Sequence, residues 1–210
     1  SYPRREERDL ELCRSEGVQV VFLPPPEEIY PPHYKTYVEV KDLGDKLCGR
    51  TRPGHFHGVT TVVNLLFHTV MPDKAYFGKK DMQQFLILRR MVKDMGWPIE
   101  MIGMPTVREP DGLAMSSRNA YLTEEERAAA SLLYRSLLEA KEAFGQGEKS
   151  PEALTDMISR KIEAEPLFGK DYVELVRKED LETPAEASPD DVIALAAYLG
   201  KARLIDNIEL

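Results

Sequence analysis

A short polar segment in the middle of the chain carries the residue types that bind a polyphosphate. Residues 112–119 read Gly-Leu-Ala-Met-Ser-Ser-Arg-Asn, so a small apolar stretch ends at two hydroxyls, a guanidinium and an amide. Hydroxyls and backbone N–H groups donate to phosphate oxygens, and the arginine presents a fixed fork of donors to them. The alternative is a serine-rich surface loop with an exposed arginine, and this segment alone does not decide between the two.

A second segment upstream has complementary chemistry. Residues 77–84 read Phe-Gly-Lys-Lys-Asp-Met-Gln-Gln and fall where a short apolar strand is followed by an amphipathic helix. Gly78 allows a phosphate to approach the backbone, Lys80 can neutralise charge developing on phosphorus, and Asp81 can accept from ribose hydroxyls. The alternative is a solvated turn in which Asp81 caps the helix. Together, the two segments indicate nucleotide chemistry.

The remaining polar candidates are each open to two interpretations. Gln83 and Gln84 can bind substrate hydroxyls or a carboxylate, or can lie at exposed positions of a helix. His55 and His57 open an apolar helix, and without a third ligand nearby their spacing favours packing or capping over a metal site. Residues 204–207, Leu-Ile-Asp-Asn, favour a structural role at the end of a strand. The sequence therefore predicts no metal-binding residues.

These candidates must be positioned by helices that alternate with short apolar strands. Apolar periodicity predicts helices over residues 4–15, 55–70 and 81–95, and strands over residues 18–23, 36–40, 74–77 and 99–104. Such alternation predicts an α/β fold with a doubly wound parallel sheet, in which ligands bind at the edge where strands end and helices begin.

The pattern changes after residue 104. Residues 105–119 predict a loop. The predicted elements that follow are helices over residues 123–147 and 151–165 and strands over residues 171–176, 192–199 and 202–206. A capping box from Thr123 to Glu126 marks the start of the first helix. Because this order is typical of an α+β domain, we place a boundary near Val107, between residues 1–106 and 107–210.

Composition excludes several classes of protein. The chain of 210 residues is 42% hydrophobic and 30% charged, as in globular proteins with a core, and its net charge is −8. This balance argues against a nucleic-acid binder, although it leaves room for a local basic pocket. No apolar run is long enough to span a membrane, and no signal peptide is visible. Cys13 and Cys48 form no CxxC motif, which favours the reducing cytoplasm.

Four segments, in order along the chain, resemble the pantoate–β-alanine ligase family. They are Arg-Pro-Gly-His-Phe at 52–56, residues 77–84, residues 111–119, and Ala-Arg-Leu-Ile-Asp-Asn at 202–207. The resemblance begins at residues 2–4 and covers essentially the whole chain. It implies a Rossmann-like nucleotidyltransferase domain, related to class I aminoacyl-tRNA synthetases, that binds nucleotide and pantoate and is followed by the smaller α+β domain.

The resemblance implies an ATP-dependent condensation of pantoate with β-alanine in two steps. The pantoate carboxylate attacks the α-phosphorus of ATP to give pantoyl adenylate and pyrophosphate, and the amine of β-alanine then displaces AMP. Lys80 and Arg118 are the implied catalytic residues, and Mg²⁺ is the implied metal ion. The implied ATP-binding residues are Gly78, Lys79, Lys80, Asp81, Val107, Met115, Ser116, Ser117 and Arg118, and Gln84 is implied to bind pantoate.

The chain departs from the family pattern at its beginning. The family opens with a strand and a His-x-Gly-His loop whose histidines bind the ATP phosphates, and this sequence contains no such motif. We therefore expect an N-terminally truncated chain with an incomplete Rossmann-like domain and impaired catalysis. The family is usually homodimeric, and residues 52–70 are available for that contact. The alternatives are another adenylate-forming nucleotidyltransferase and a non-catalytic fragment that serves in dimerisation or binding.

Overall fold

The computed structural model describes residues 6–210, which form two compact units, one ending at Thr36 and one spanning Tyr37–Leu210. The first unit contains helices α1 (Glu6–Ser15) and α2 (Pro26–Ile29). Helix α1 confirms the helix predicted over residues 4–15 as far as it is described. Residues 4 and 5, and the start of the family resemblance at residues 2–4, lie outside the described residues.

The strand predicted over residues 18–23 is wrong. These residues are irregular, and Val20 is 81% exposed. A β-branched apolar run becomes a strand only when a neighbouring strand pairs with its N–H and C=O groups. Neither sheet of the described chain includes this segment.

The second unit begins with an α/β layer. Its elements are α3 (Cys48–Thr51), α4 (His55–Val70), β1 (Lys74–Gly78), α5 (Met82–Asp94) and β2 (Glu100–Met104). The strands β1 and β2 are parallel, in register from Lys74 opposite Glu100 to Gly78 opposite Met104. Buried residues of α4, β1 and α5 form a common core that includes Phe67, Ala75 and Leu88. The helices predicted over residues 55–70 and 81–95 and the strands predicted over 74–77 and 99–104 are therefore confirmed.

The strand predicted over residues 36–40 is also wrong, because side chains of α4 replace a partner strand. The Val38 backbone N–H donates to Thr61 Oγ1 at 3.1 Å, and Thr60 Oγ1 donates to the Val38 carbonyl at 2.5 Å. Both threonines are buried. The segment is held against a helix through hydroxyls that apolar periodicity does not reveal.

Helices and an antiparallel sheet follow the loop. The elements are α6 (Glu124–Ala130), α7 (Leu132–Gly145), α8 (Pro151–Ala164), β3 (Phe168–Arg177), β4 (Asp191–Leu199) and β5 (Ala202–Glu209). The sheet order is β3-β4-β5, and both pairings are antiparallel. Leu137 of α7, Ile158 of α8 and Ile193 of β4 are fully buried in one core between helices and sheet. This α+β arrangement follows the parallel α/β layer as predicted.

The helix predicted over residues 123–147 is divided in two at Ser131. The hydroxyl of Ser131 donates to the Ala128 carbonyl at 3.5 Å, and α6 ends one residue before it. A serine that bonds to the preceding turn competes with the regular helical hydrogen bonds, which explains the break. The predicted capping box is confirmed, since Thr123 Oγ1 accepts from the Glu126 N–H and the Glu126 carboxylate accepts from the Thr123 N–H.

Candidate functional site

One narrow cleft brings the two predicted phosphate-binding segments together. Lys80, from the turn after β1, lines it together with Ser116 and Arg118 from the loop before α6. Residues 203–206 of strand β5 line it as well. The cleft is therefore lined by residues whose side chains carry an ammonium, a hydroxyl and a guanidinium, which are the donor types that a polyphosphate requires.

The turn that carries Lys80 is fastened to β5. Asn207 Nδ2 donates to the carbonyl oxygens of both Lys79 and Lys80, each at 2.9 Å. The Lys79 ammonium forms an ion pair with Glu209 at 2.7 Å. Lys79 therefore points its charge toward the sheet, whereas Lys80 lines the cleft.

The loop that carries Ser116 and Arg118 is fastened to the same strand. Arg108 makes a bidentate pair with Asp206, with N···O distances of 2.7 and 2.9 Å, and also donates to the Gly112 carbonyl at 3.0 Å. Burial raises the pKa of the Asp206 carboxyl, and the guanidinium of Arg108 opposes that shift. The guanidinium also lies 3.5 Å above the ring centre of Tyr134 in α7.

The hydroxyl-rich part of the loop forms a short 3-10 turn, Ser117–Tyr121, that Ser116 caps. Ser116 Oγ accepts from the Arg118 N–H at 3.2 Å, and Arg118 Nη1 donates to the Arg203 carbonyl at 3.2 Å. Ser117 is exposed, and so is Met115, whose N–H donates to the carbonyl of Val107 at 2.9 Å. Arg118 remains exposed despite its bond to β5, so its free guanidinium donors face solvent.

Three further predicted site residues lie at or near the start of α5. Gly78 ends β1 with φ −69°, and a Cβ there would meet no heavy atom within 4 Å, so the backbone borders open space. Asp81 stands at the N-cap position of α5 but makes no side-chain capping bond, which corrects the predicted capping role and leaves its carboxylate free of that bond. Gln84 is partly buried in the first turn of α5.

The structure decides the uncertain roles of Gln83 and the histidines. Gln83 is structural: its amide accepts from the Cys48 N–H at 3.0 Å and donates to the carbonyls of Leu43 and Lys46. His57 packs against the ring of Tyr37. Within residues 6–210, no group of three or more His, Cys, Asp or Glu side chains is arranged to hold a metal ion. No helix in the same range is long and apolar enough to cross a membrane.

Charged groups of the candidate site act on His55. Its Nε2 is 3.0 Å from Arg52 Nη1. Burial and the neighbouring Arg52 cation lower the pKa of His55, while Asp81 raises it and the more remote Arg118 lowers it further. The pKa of His55 is therefore held below its ordinary value, and charged groups from both halves of the candidate site act on it.

The sequence assigned residues 204–207 a structural role, which the contacts of Asp206 and Asn207 confirm, but it did not show that these residues hold the two candidate segments. The available signal was an Asp-Asn pair within a strand whose other positions are largely apolar. Asn119 was also missed as a cleft residue. Its Oδ1 is buried and has no hydrogen-bond partner among the described residues.

Sequence comparison identifies relatives over the whole chain. The family model described as pantoate-beta-alanine ligase matches residues 1–209. The pantothenate synthetase of Thermosipho africanus is 51% identical over 208 residues, which are 99% of this chain and 74% of that protein. The pantothenate synthetase of Desulfitobacterium hafniense (strain DSM 10664 / DCB-2) is 52% identical over 206 residues, 98% of this chain and 73% of that protein.

Solved structures give the same result. The pantothenate synthetase of Thermus thermophilus superimposes with a TM-score of 0.94 at 46% identity, covering 99% of this chain and 75% of that one. A pantoate-beta-alanine ligase from Francisella tularensis, solved with beta-gamma ATP and beta-alanine, has a TM-score of 0.75 at 32% identity, covering 99% of this chain and 71% of that one.

These matches bear on two predictions made from the sequence. The prediction of a truncated chain is not borne out, since the matches take in 99% of this chain; the chain spans about three quarters of the length of these relatives. The Rossmann-like nucleotidyltransferase fold, in contrast, is confirmed by the structural neighbours. The chain belongs to the pantoate–β-alanine ligase family.

Proposed function

We propose that this chain joins pantoate to β-alanine at the expense of ATP, through a pantoyl-adenylate intermediate. The observation that carries the proposal is the convergence of Lys80, Ser116 and Arg118 on one cleft. The Francisella tularensis relative was solved with beta-gamma ATP and beta-alanine, and ATP and β-alanine are two of the three reactants in the proposed reaction.

In the first step, a carboxylate oxygen of pantoate bonds to the α-phosphorus of ATP, and the bond from that phosphorus to the bridging oxygen of pyrophosphate breaks. Negative charge accumulates on the phosphoryl oxygens and on the leaving pyrophosphate. Preorganised cationic donors stabilise that charge, and we assign this role to Lys80 and Arg118. Ser116 and Ser117 hold the phosphates as hydroxyl and backbone donors.

The other proposed contacts orient the reactants. The backbones of Gly78, Lys79 and Val107 border the nucleotide, Met115 packs against it, Asp81 accepts from the ribose hydroxyls, and Gln84 binds pantoate. In the second step, the neutral amine of β-alanine attacks the acyl carbon, AMP leaves, and the nitrogen releases a proton. Holding the reactants in position accounts for much of the rate of such a step.

Mg²⁺ fits this site as an ion that ATP brings with it. Because residues 6–210 offer no cage of three ligands, and Asp206 is already paired with Arg108, the protein supplies few ligands of its own. Mg²⁺ is commonly bound by substrate phosphates, waters and one or two carboxylates. When bound through the substrate phosphates and water, it would neutralise charge on the phosphates beside the donors of Lys80 and Arg118.

We further propose that the enzyme is a cytoplasmic homodimer and that residues 1–106 and 107–210 act as separate domains with the site between Lys80 and Arg118. Helix α4 supports the dimer. Val59 and Val63 pack against the core, whereas Val62 and Leu66 lie one helical turn apart on an adjacent, partly exposed stripe.

Exchange of labelled pyrophosphate into ATP tests the proposed reaction. The label should enter ATP only when pantoate is present, and β-alanine should convert the same mixture to pantothenate and AMP. Exchange that depends on a different carboxylic acid would identify another adenylate-forming nucleotidyltransferase. Binding without exchange would favour a non-catalytic role.

A further inference from the structure

Asn207 of β5 is a buried amide whose donors both serve the turn that carries Lys80. It is 7% exposed, and its Nδ2 lies 2.9 Å from each of the carbonyl oxygens of Lys79 and Lys80. Because both partners are acceptors, only the NH₂ side of the amide can face them. The side chain therefore has one orientation, in which it holds two successive peptide units.

The turn has little support of its own. It is a single 3-10 turn, Lys79–Asp81, and Asp81 departs from helical geometry with φ −92° and ψ 59°. Asp81 makes no capping bond, so no side chain at the start of α5 fixes the peptide planes that precede it. The orientation of the Lys80 backbone, and with it the direction of the ammonium, depends on a donor from a different element.

The neighbouring residue on β5 holds the other side of the cleft. Asp206 binds Arg108, which donates to the Gly112 carbonyl in the loop before Ser116 and Arg118. Adjacent residues of a strand point to opposite faces, so one strand reaches both segments from two consecutive positions. The Asp206 carboxylate also accepts from the Asn207 backbone N–H at 2.8 Å, which joins the two anchors.

We propose that Asn207 is a positioning residue for adenylation, which sets Lys80 against the Ser116 and Arg118 side of the cleft. The inference rests on the proposed function, since it assigns the purpose of the Lys80 placement. Asn207 is not among the residues that line the cleft. Its effect passes through Lys80, and a displacement of about 1 Å at a catalytic group costs on the order of 100-fold in rate.

Asn207→Ala should lower kcat for pantoate-dependent pyrophosphate exchange by about 30- to 100-fold, and the KM for pantoate should change by less than about threefold. Asn207→Asp should be at least as impaired, because a carboxylate oxygen would then face two carbonyl oxygens. Ile208→Val, which removes one methyl from the next residue of the same strand, serves as the matched control and should keep wild-type kinetics.

A double-mutant cycle distinguishes positioning from a general structural role. If Asn207 acts through Lys80, then adding Asn207→Ala to Lys80→Ala should reduce the exchange rate further by less than about threefold. The proposal would be overturned if Asn207→Ala lowered the exchange rate by the same factor in the Lys80→Ala background as in the wild-type chain. Equal kinetics for Asn207→Ala and wild type would overturn it as well.

Hydrogen exchange provides a test that needs no catalysis. Amides of residues 79–82 should exchange faster in Asn207→Ala than in wild type or Ile208→Val, while the amides of β3 and β4 stay protected. Unchanged protection of residues 79–82 would overturn the proposal. Should Asn207→Ala not fold, Asn207→Ser carries both measurements, since its shorter hydroxyl cannot supply two donors. If the wild-type chain showed no pantoate-dependent pyrophosphate exchange, the proposed function would be contradicted. The amide hydrogen-exchange measurement would still test whether Asn207 holds the turn.

Discussion

Adjacent lysines at the end of β1 have different environments. The Lys79 ammonium is compensated by Glu209, while no carboxylate within residues 6–210 lies at ion-pair distance from Lys80. Glu209 also pairs with Lys178; burial opposes ionisation of this carboxyl, but the two ammonium groups outweigh it and lower its pKa. The fold therefore places the two ammonium groups in different surroundings, which the residue type alone does not specify.

Lys80→Ala should lower kcat for pantoate-dependent exchange by about 100- to 1,000-fold, as removal of a charge-stabilising donor does elsewhere. Lys79→Ala removes a charge that is directed at the sheet, so its loss should be less than about tenfold. Steady-state exchange kinetics of the two variants, side by side, make the comparison. A larger loss for Lys79 than for Lys80 would contradict the assignment.

His55 predicts a pH-dependent component of stability. Its pKa in the folded chain lies below the ordinary value of 6.5 because of burial and the Arg52 cation. Between the lowered pKa of the folded chain and the ordinary value, the unfolded chain binds more protons than the folded chain. The native state therefore loses stability as the pH falls below about 6.5 and through the folded pKa. His55→Gln should flatten this part of the profile. Denaturant titrations from about pH 8 to about pH 5 measure it, and identical slopes for the two proteins would contradict the prediction.

At the scale of elements, the loop before α6 depends on one glycine. Gly112 has φ +91°, and a Cβ there would lie 2.5 Å from Tyr134 Cδ1. The positive φ favours glycine, and the ring of Tyr134, on which the Arg108 guanidinium stacks, leaves no room for a Cβ.

Gly112→Ala should therefore lower the free energy of unfolding by about 2 kcal/mol or more. Gly58→Ala is the matched control, because Gly58 lies within α4 and its added Cβ would meet no atom within 4 Å. That variant should gain about 0.5–1 kcal/mol from helix propensity. Equilibrium denaturation compares them, and equal stability of the two variants would show that the loop tolerates a side chain at residue 112.

Elements were predictable where their own residues determine them. Helix α4 follows from its periodicity, and the capping box at Thr123 follows from local hydrogen bonding. The strands predicted over residues 18–23 and 36–40 failed because a strand depends on a neighbour that the local sequence does not specify. The same limit applies to Asn207, whose partners lie 128 and 127 residues away in the chain.

At the scale of the whole molecule, the family relationship and the fold agree. The relatives that share about half of their residues with this chain are pantothenate synthetases, and the neighbour with a TM-score of 0.94 carries the same name. Because these relatives are pantothenate synthetases, we expect the chain to catalyse adenylation.

The proposed dimer makes a prediction at this scale. Replacing Val62 and Leu66 together by lysine places charges on the partly exposed stripe of α4, which should convert a dimer to a monomer without unfolding the helix. Sedimentation velocity measures the mass of each protein. A wild-type chain that sediments as a monomer would contradict the dimer. A double variant that remains a dimer would show that the contact lies elsewhere than on this stripe of α4.

The central claim is that Lys80 and the Ser116–Arg118 loop form one adenylation site. Pantoate-dependent exchange of labelled pyrophosphate into ATP, measured on the wild-type chain and on Lys80→Ala at equal concentration, tests it most directly. We predict exchange that requires pantoate and that falls by about 100-fold or more in the variant. Exchange that is independent of pantoate, or equal in both proteins, would contradict the claim, as would the absence of exchange by the wild-type chain.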